Sequence, residues 1–345
     1  MSNDLSTSSI LSPPTSCIDM DGQRVFILMA CYNGARYINE QIRSVQAQHF
    51  NQWSLIVRDD GSCDDTVQII RCLAQEDSRI HLLDDGIGNL GVIGNFSVLM
   101  QCALDQGADY IFLADQDDVW NPEKLGVMLA AMRELEVTNG SDLPLLVHCD
   151  LVVVDEQKRM IASSFANYMK LSPARVGLGI LLVRNQVTGC ACLVNRAALE
   201  LACPIPSGVF MHDWWLTLLC AMAGKIGYVT QPLMQYRQHA TNVVGAKSYW
   251  RSKLKLLYSL DRWHTQMSDI RHSILQAGLV RERLLLRNAH LDPAVEQKLA
   301  AYANLLKISS LRRLGILKTY SIYKSTCLAS LAFKLLLVIQ HRDEE

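Results

Sequence analysis

Ile111-Phe-Leu-Ala-Asp-Gln-Asp-Asp-Val-Trp120 is an apolar run that delivers three carboxylates, Asp115, Asp117 and Asp118, at its C-terminal end. The run reads as a buried strand, and α/β sheets gather their ligands just beyond the carboxyl ends of strands. Carboxylates two residues apart at such an end can hold a hard divalent cation, which keeps waters and phosphate oxygens as its other ligands. The cluster therefore points to a nucleotide or phosphate substrate. Acidic residues after a strand also cap helices, and Asp118 or Asn121 followed by Pro122 fits an N-cap with proline in the first turn. For Asp115 and Asp117 together metal binding is favoured, because a second acidic cluster points the same way.

That second cluster is Trp53-Ser-Leu-Ile-Val-Arg-Asp-Asp-Gly-Ser-Cys-Asp-Asp-Thr66, again a short apolar strand ending in paired aspartates. Gly61 and Ser62 supply the turn, and Asp64 or Asp65 can cap the helix that continues through Val67, Ile70 and Leu73. Upstream, Val25 to Ala30 is a third apolar strand, which runs into Cys31-Tyr-Asn-Gly and an amphipathic helix from about Tyr37 to Gln48. Strand, helix, strand, helix, strand at this spacing is a βαβαβ unit whose right-handed crossovers put all three polar strand ends on one edge of a parallel sheet. The three motifs are expected to meet in one cleft.

The composition permits one large α/β domain with a smaller appendage: 345 residues, 50% of them apolar. Eleven cysteines come without an export signal or Cys-x-x-Cys pairs, so they read as reduced, mostly buried thiols of a cytosolic protein, and metal binding by Cys190 and Cys192 is disfavoured. Residues 1–23, rich in Ser, Pro and Asp, read as a disordered leader. The net charge of −1 hides a division: residues 1–246 carry 16 Lys plus Arg against 26 Asp plus Glu, and residues 247–345 carry 17 against 8. A cation-binding cleft suits the first part, and a surface that meets anionic lipid headgroups suits the second. Nucleic acid is not expected as a partner, since no RNA- or DNA-binding motif accompanies the basic residues.

Downstream, the pattern gives a helix over Pro122 to Leu135, a break at Asn139 to Pro144, a strand from Leu145 to Val154, an apolar piece at Val187 to Val194, a helix from Arg196 and a strongly apolar helix opened by Phe210-Met-His-Asp-Trp-Trp. Gly224 to Val229 reads as the last strand. Beyond Gly245 the chain turns to long helical stretches with Leu at three and four spacing, which sets the boundary between residues 24–245 and a helical, basic region over 246–345. Ser325 to Gln340 is the most hydrophobic part. At about 16 residues, interrupted by Lys334, it falls short of a membrane span and fits a helix lying in the membrane interface, or one packed on the catalytic domain or a partner subunit.

Taken together and in order, Ala30-Cys-Tyr-Asn-Gly, Asp59-Asp-Gly-Ser-Cys-Asp-Asp-Thr, Asn89-Leu-Gly with Asn95-Phe, Asp115-Gln-Asp-Asp-Val-Trp, His212-Asp-Trp-Trp and Tyr236-Arg-Gln-His-Ala-Thr-Asn-Val-Val-Gly resemble the family 2 glycosyltransferases of GT-A fold, and within them the bacterial rhamnosyltransferase-like branch. The resemblance covers about Val25 to Gly245. It implies an α/β GT-A domain with a mixed, mostly parallel sheet, followed by a helical extension. It also implies that Ala30, Tyr32 and Asn33, with Asp60, border the donor base, Asp60 accepting from the imide N–H of uracil or thymine. Asp115 and Gln116 then lie on the donor nucleotide, and Asp117 binds Mg²⁺ or Mn²⁺. Asp213 falls where these inverting enzymes place their general base, Arg237 and His239 fall on a loop over the diphosphate with His239 joining the metal, and His212, Trp214 and Trp215 lie towards the acceptor.

Those residue types suit the chemistry. Sugar transfer from a nucleoside diphosphate builds negative charge on the leaving group, which a cation or an arginine stabilises, while a carboxylate takes the acceptor proton as the oxygen attacks in line. The implied activity is metal-dependent, inverting transfer of a sugar, L-rhamnose from dTDP-L-rhamnose by the subfamily resemblance, onto a lipid-linked saccharide of a bacterial surface polysaccharide such as O-antigen. The protein would work in the cytoplasm, at the inner face of the membrane, and the chain is compatible with an oligomer. Two rivals are a haloacid-dehalogenase-type phosphohydrolase, whose nucleophile motif Asp115-Gln-Asp117 also fits, and a non-catalytic sugar-binding scaffold. The first wants its motif at the start of the domain, where this chain has two strand-helix units before it.

Overall fold

The computed structural model describes residues 8–11, 22–173, 177–239, 260–324 and 327–339. Val25–Cys31 forms β2, and its apolar run is continuous because both faces of this strand are covered. It pairs in parallel with β3 (Trp53–Asp59) on one side and with β5 (Tyr110–Ala114) on the other. Between β2 and β3 runs α1 (Ile38–Gln46), which buries Ile38, Ile42 and Val45 at helical spacing and turns its polar face outward. After β3 come α2 (Thr66–Glu76), the three-residue edge strand β4 (Ile80–Leu82) and α3 (Gly91–Asp105). β4 and α3 extend the βαβαβ unit by one further strand and helix, so the chain steps outward from β2 to β3 to β4 and then returns to the opposite side of β2 as β5. The spatial order β5-β2-β3-β4 creates a switch point between β2 and β5, where a crevice forms beyond the strand ends.

Past β5, the short β6 (Val119–Trp120) pairs antiparallel with a later strand and leads into α4 (Lys124–Asn139). Next come β7 (Leu145–Val154), β8 (Met160–Ala162), α5 (Phe165–Met169), α6 (Leu178–Leu181), β9 (Cys192–Asn195), α7 (Arg196–Ala202), α8 (His212–Ala223) and β10 (Lys225–Arg237). The sheet runs β10-β7-β9-β5 towards the first half, with β9 antiparallel to both neighbours. β10 extends well beyond the Val229 expected from sequence, because it crosses two register shifts beside β7 and continues to Arg237. Part of the expected disordered leader is strand instead: Ser8–Leu11 forms β1, in parallel with Ile226 to Val229 on the outer edge of β10. An edge strand offers unpaired backbone groups, and four leader residues satisfy them.

Two apolar cores flank the sheet. One face packs against α1, α2 and α4. The other packs against α3, α6, α7, α8 and the C-terminal helices, whose Ile270, Ile274, Val280, Leu299, Tyr302 and Phe333 belong to the same continuous core as Trp215. These helices are Leu260–Leu286, Pro293–Ala303, Ser310–Thr319 and Cys327–Ile339. The boundary expected at Gly245 lies outside the described residues. No helix among the described residues is long and apolar enough to cross a membrane.

Candidate active site

The three polar strand ends meet at the switch point, and Gln116 ties two of them together. Its Oε1 accepts from the Tyr32 N–H at 2.9 Å and its Nε2 donates to the Tyr32 carbonyl at 3.0 Å. A Cβ at Gly34 would overlap the Gln116 carboxamide, so a side chain there would displace this clasp. Asn33, in a left-handed conformation at φ 49°, accepts from the Cys63 N–H at 2.9 Å and donates its own N–H to Ser62 Oγ at 2.7 Å. Tyr32 and Asn33 are exposed at this edge and Ala30 is partly buried behind them.

Asp60 is almost sealed. Its Oδ1 accepts from Arg58 Nη1 and from the Leu90 N–H, and its Oδ2 accepts from the Gly91 N–H, each at 2.8 Å. Asn89 Nδ2 donates to the Asp60 carbonyl at 2.8 Å. The Asn89-Leu-Gly motif is therefore the turn that sets the start of α3 on Asp60, with Gly91 at φ 69°. Arg58, which sequence reasoning did not single out, is fully buried and also pairs with Asp85 at 2.7 Å. It neutralises the two carboxylates that shape this wall.

The acidic end of β5 divides into an open and a closed part. Asp117 keeps 14% of its side chain exposed, and its Oδ2 lies 2.7 Å from His239 Nε2. The two residues are 122 positions apart in sequence. Behind them, Asp118 is fully buried: Oδ1 accepts from the Arg237 N–H at 3.1 Å and Oδ2 has no hydrogen-bond partner. Asp118 is thus no helix cap, since α4 begins only at Lys124, after Glu123. Burial, with the Asp117 and Asp115 charges added, pushes the Asp118 carboxyl well above the usual range. Burial first and the Asp117 charge second push Asp115 up to about 7. Lys124, wholly buried, sits 3.5 Å over the Trp120 ring centroid, donates to the Cys190 carbonyl at 2.6 Å and partly balances these carboxylates.

Ligand atoms of Asp115, Asp118 and Cys190 lie within 4.8 Å of one another. A divalent cation fits the donor set: carboxylates dominate it, one buried oxygen is unpartnered, and a positive charge would relieve the mutual repulsion that now favours protonation. Asp117 and His239, the pair expected from sequence to hold the metal, lie outside this set of three, and Asp117 is joined to His239 instead.

Asp213 is 8% exposed, in the first turn of α8, one residue past the start of the helix. The N-cap position is Met211, so Asp213 does not cap the helix. Its Oδ1 accepts from the Trp214 N–H at 2.6 Å and its Oδ2 from the Gly189 N–H at 3.2 Å. Burial outweighs these bonds and raises the carboxyl to about 6. Its charge reaches Asp115, so the start of α8 and the end of β5 face the same space. His212 stacks on Phe96 with centroids 4.0 Å apart, neither ring nitrogen has a partner, and burial lowers its titration to about 3, which keeps it neutral.

Three sequence expectations change here. Trp214 and Trp215, expected towards the acceptor, are buried core residues whose indole N–H groups donate to the carbonyls of Leu181 (2.7 Å) and Ala202 (3.1 Å). An apolar helix in the middle of a core leaves them no face for stacking on a sugar. Arg237, expected over the diphosphate, is 3% exposed and spent on protein: Nε donates to the Asp117 carbonyl at 2.8 Å, Nη1 to the Glu156 carbonyl at 2.9 Å, and Nη2 pairs with Glu40 at 2.5 Å. It is a strut that fixes the acidic loop. Glu40 carried no motif signal, because its role depends on a partner 197 residues away.

Residues 26–140 match the family described as Glycosyl transferase family 2. Over that segment, about a third of the chain, the sequence is that of a family 2 glycosyltransferase domain. The chain is similar to dTDP-rhamnosyl transferase RfbG of Shigella flexneri, at 24% identity over 266 residues, covering 74% of this chain and 88% of that protein. It is also similar to the UDP-Glc:alpha-D-GlcNAc-diphosphoundecaprenol beta-1,3-glucosyltransferase WfgD of Escherichia coli, at 34% identity over 113 residues, 33% of this chain and 42% of that one. Among solved structures, S. aureus TarS 1-349 in complex with UDP-GlcNAc superposes with a TM-score of 0.54 at 16% identity, over 86% of this chain and 80% of that chain. The mannosyltransferase PcManGT from Pyrobaculum calidifontis, in complex with GDP-Man and Mn²⁺, gives 0.50 at 16% identity, over 92% and 80%. The fold is that of the GT-A glycosyltransferases. The match over residues 26–140 and the GT-A fold favour a glycosyltransferase over the phosphohydrolase alternative.

Proposed function

We propose that this protein is a divalent-cation-dependent, inverting family 2 glycosyltransferase that moves L-rhamnose from dTDP-L-rhamnose to a lipid-linked saccharide of a bacterial surface polysaccharide. The observation that carries the proposal is a buried carboxylate at the start of α8, Asp213, raised to about 6 and within electrostatic reach of the acidic end of β5. Asp117 and His239 would hold Mg²⁺ or Mn²⁺, with Asp115 orienting the ribose or a water of the cation. When bound, that cation supplies positive charge against the leaving diphosphate. Asp213 accepts the proton of the acceptor hydroxyl as that oxygen attacks the anomeric carbon from the face opposite the leaving group, which inverts the configuration without a covalent intermediate. Tyr32, Asn33 and Gln116 frame the base edge, where Asp60 offers the second lone pair of Oδ2 to an imide N–H. His212 is uncharged and its two ring nitrogens have no hydrogen-bond partner, so a sugar hydroxyl that reached them would find both a donor and an acceptor. The donor sugar is supported by the similarity to a dTDP-rhamnosyl transferase.

The test is calorimetric titration with dTDP and UDP, with Mn²⁺ or Mg²⁺ and then with EDTA. Metal-dependent binding that favours dTDP and vanishes in Asp117→Ala is expected; binding unaffected by EDTA would overturn the cation assignment, and preference for UDP would overturn the donor.

A peripheral membrane position belongs to the same proposal. On the helix Cys327–Ile339, Phe333, Leu336 and Leu337 are buried while Leu331, Leu335, Val338 and Ile339 are exposed at helical spacing around exposed Lys334. Leu311 on the neighbouring helix is 81% exposed, near exposed Lys307, Arg312 and Lys318. Apolar side chains ringed by cations match an anionic bilayer surface. Flotation with anionic vesicles, lost in Leu331→Ser/Leu335→Ser and on neutral vesicles, is the expected result; a protein that stays in the soluble fraction with both vesicles would refute it.

A further inference from the structure

The C-terminal helix Leu260–Leu286 presents an apolar stripe, Ile270, Ile274, Ala277, Val280 and Leu284, to the core shared with α8. Within this packing lies Gln276, fully buried. A carboxamide there desolvates two polar atoms, where a leucine would desolvate none. Its placement has a specific partner. Oε1 accepts from the Phe210 N–H at 2.9 Å and from the Met211 N–H at 3.3 Å, the two residues that lead into His212 and Asp213. Met211 is the N-cap of α8 and its side chain makes no capping bond, so the entry to that helix is held from outside by a residue of another helix. Gln276 Nε2 has no partner, which leaves acceptance by Oε1 as the interaction that accounts for the amide.

Two further contacts from the same helix act on the same entry. His272 stacks on Phe210 with centroids 4.7 Å apart and planes 10° from parallel. Arg283 lies over the Trp215 ring and donates to the carbonyls of Leu201, Cys203 and Pro204, which precede α8.

We infer that Gln276 is a positioning residue for the transfer reaction: by holding the Phe210 and Met211 N–H groups it fixes the first turn of α8 and with it the direction of the Asp213 carboxylate. The inference rests on Asp213 being the base. Asp213 is anchored on one side by the Gly189 N–H and on the other by the turn that Gln276 holds, so release of that turn moves the carboxylate relative to the acceptor oxygen. Displacements of about 1 Å at such a group cost on the order of 100-fold in rate. The helical extension is in this respect part of the catalytic apparatus.

The experiment compares Gln276→Met, which keeps the volume and removes the acceptor, with Gln276→Glu, which keeps an acceptor for both N–H groups, replaces a donor that has no partner and is assayed at a pH low enough to keep the buried carboxyl neutral. Steady-state transfer and hydrogen exchange of the Phe210–Met211 amides are measured on the full chain, beside Asp213→Asn. The expected result is a fall in kcat of about tenfold or more in Gln276→Met with donor KM within about twofold, faster exchange at the two amides, and recovery of kcat in Gln276→Glu. Unchanged kcat in a folded Gln276→Met, or an equal loss in Gln276→Glu, would overturn the inference. If Gln276→Met does not fold, exchange in the unsubstituted protein decides: protection of the two amides supports the inference and free-loop exchange overturns it. Full turnover in Asp213→Asn would remove the base itself, a failure distinct from a Gln276→Met effect that is absent while Asp213→Asn is inactive.

Discussion

Asp213→Asn separates catalysis from stability in opposite directions. Asparagine keeps one oxygen, which can accept from the Gly189 N–H, and gives up acceptance from the Trp214 N–H, so the start of α8 keeps one of its two anchors to this side chain while the proton acceptor is lost. General-base removal costs on the order of 10²–10⁴ in rate. The stability effect follows from burial, which moves the carboxyl from 3.8 to about 6 on folding. Between those values the folded state binds more protons than the unfolded state, so stability falls as pH rises from about 4 to about 6 and stays lowered above. At about 1.4 kcal/mol per pH unit of displacement, the ionised carboxylate is held at a cost of ~3 kcal/mol. Asp213→Asn is therefore expected to be more stable by up to about that amount at pH 8, with the difference shrinking towards zero below pH 4, while kcat falls at least about 100-fold. In the unsubstituted enzyme kcat/KM should fall with acidification through about 6. Urea unfolding across pH, paired with single-turnover transfer, reads both quantities. A folded Asp213→Asn that retains kcat within about tenfold, or an acid limb that stays flat through this range, would refute the reasoning.

Three further outcomes follow from the site. A Cβ at Gly189 would meet His212 Nε2 at 3.1 Å and Asp213 Cβ at 3.4 Å, so Gly189→Ala should lower kcat by about tenfold through displacement of the base while calorimetric dTDP binding is kept. Trp214→Phe removes the donor to the Leu181 carbonyl and should cost about 1–3 kcal/mol in urea unfolding, with acceptor KM unchanged; a raised acceptor KM would restore Trp214 to the sugar site. Arg237→Lys cannot reach the Asp117 and Glu156 carbonyls and Glu40 together, so it should lower stability by about 1–3 kcal/mol and weaken cation-dependent nucleotide binding, whereas unchanged unfolding would contradict its role as a strut.

The strand ends were legible because their signal is local. An apolar run buried on both faces followed by aspartates says where a strand stops and what it presents, and the crossover rule then brings Asp60, Asp115 and Asn33 to one edge. The return of the chain from β4 to β5 was less visible, since β4 is three residues long and carries almost no period. The resemblance put Asp117 and His239 on one cation, and their direct contact was not foreseen; nor was the commitment of Asp60 to the first turn of α3, because those backbone N–H groups leave no mark in side-chain spacing.

By itself the sequence determined the α/β class, the acidic strand ends and the position of Asp213 on a helix, all consequences of hydrophobic period and turn chemistry over a few residues. Only the tertiary structure decided which polar and aromatic groups reach the crevice. Arg237 was drawn into a buried strut by Glu40 and two carbonyls, Trp214 and Trp215 were absorbed by the core, and Gln276 was set behind the candidate base from the C-terminal helix. Burial and partners at long sequence separation determine whether a side chain is free to act, and they exist only once the chain has folded back on itself.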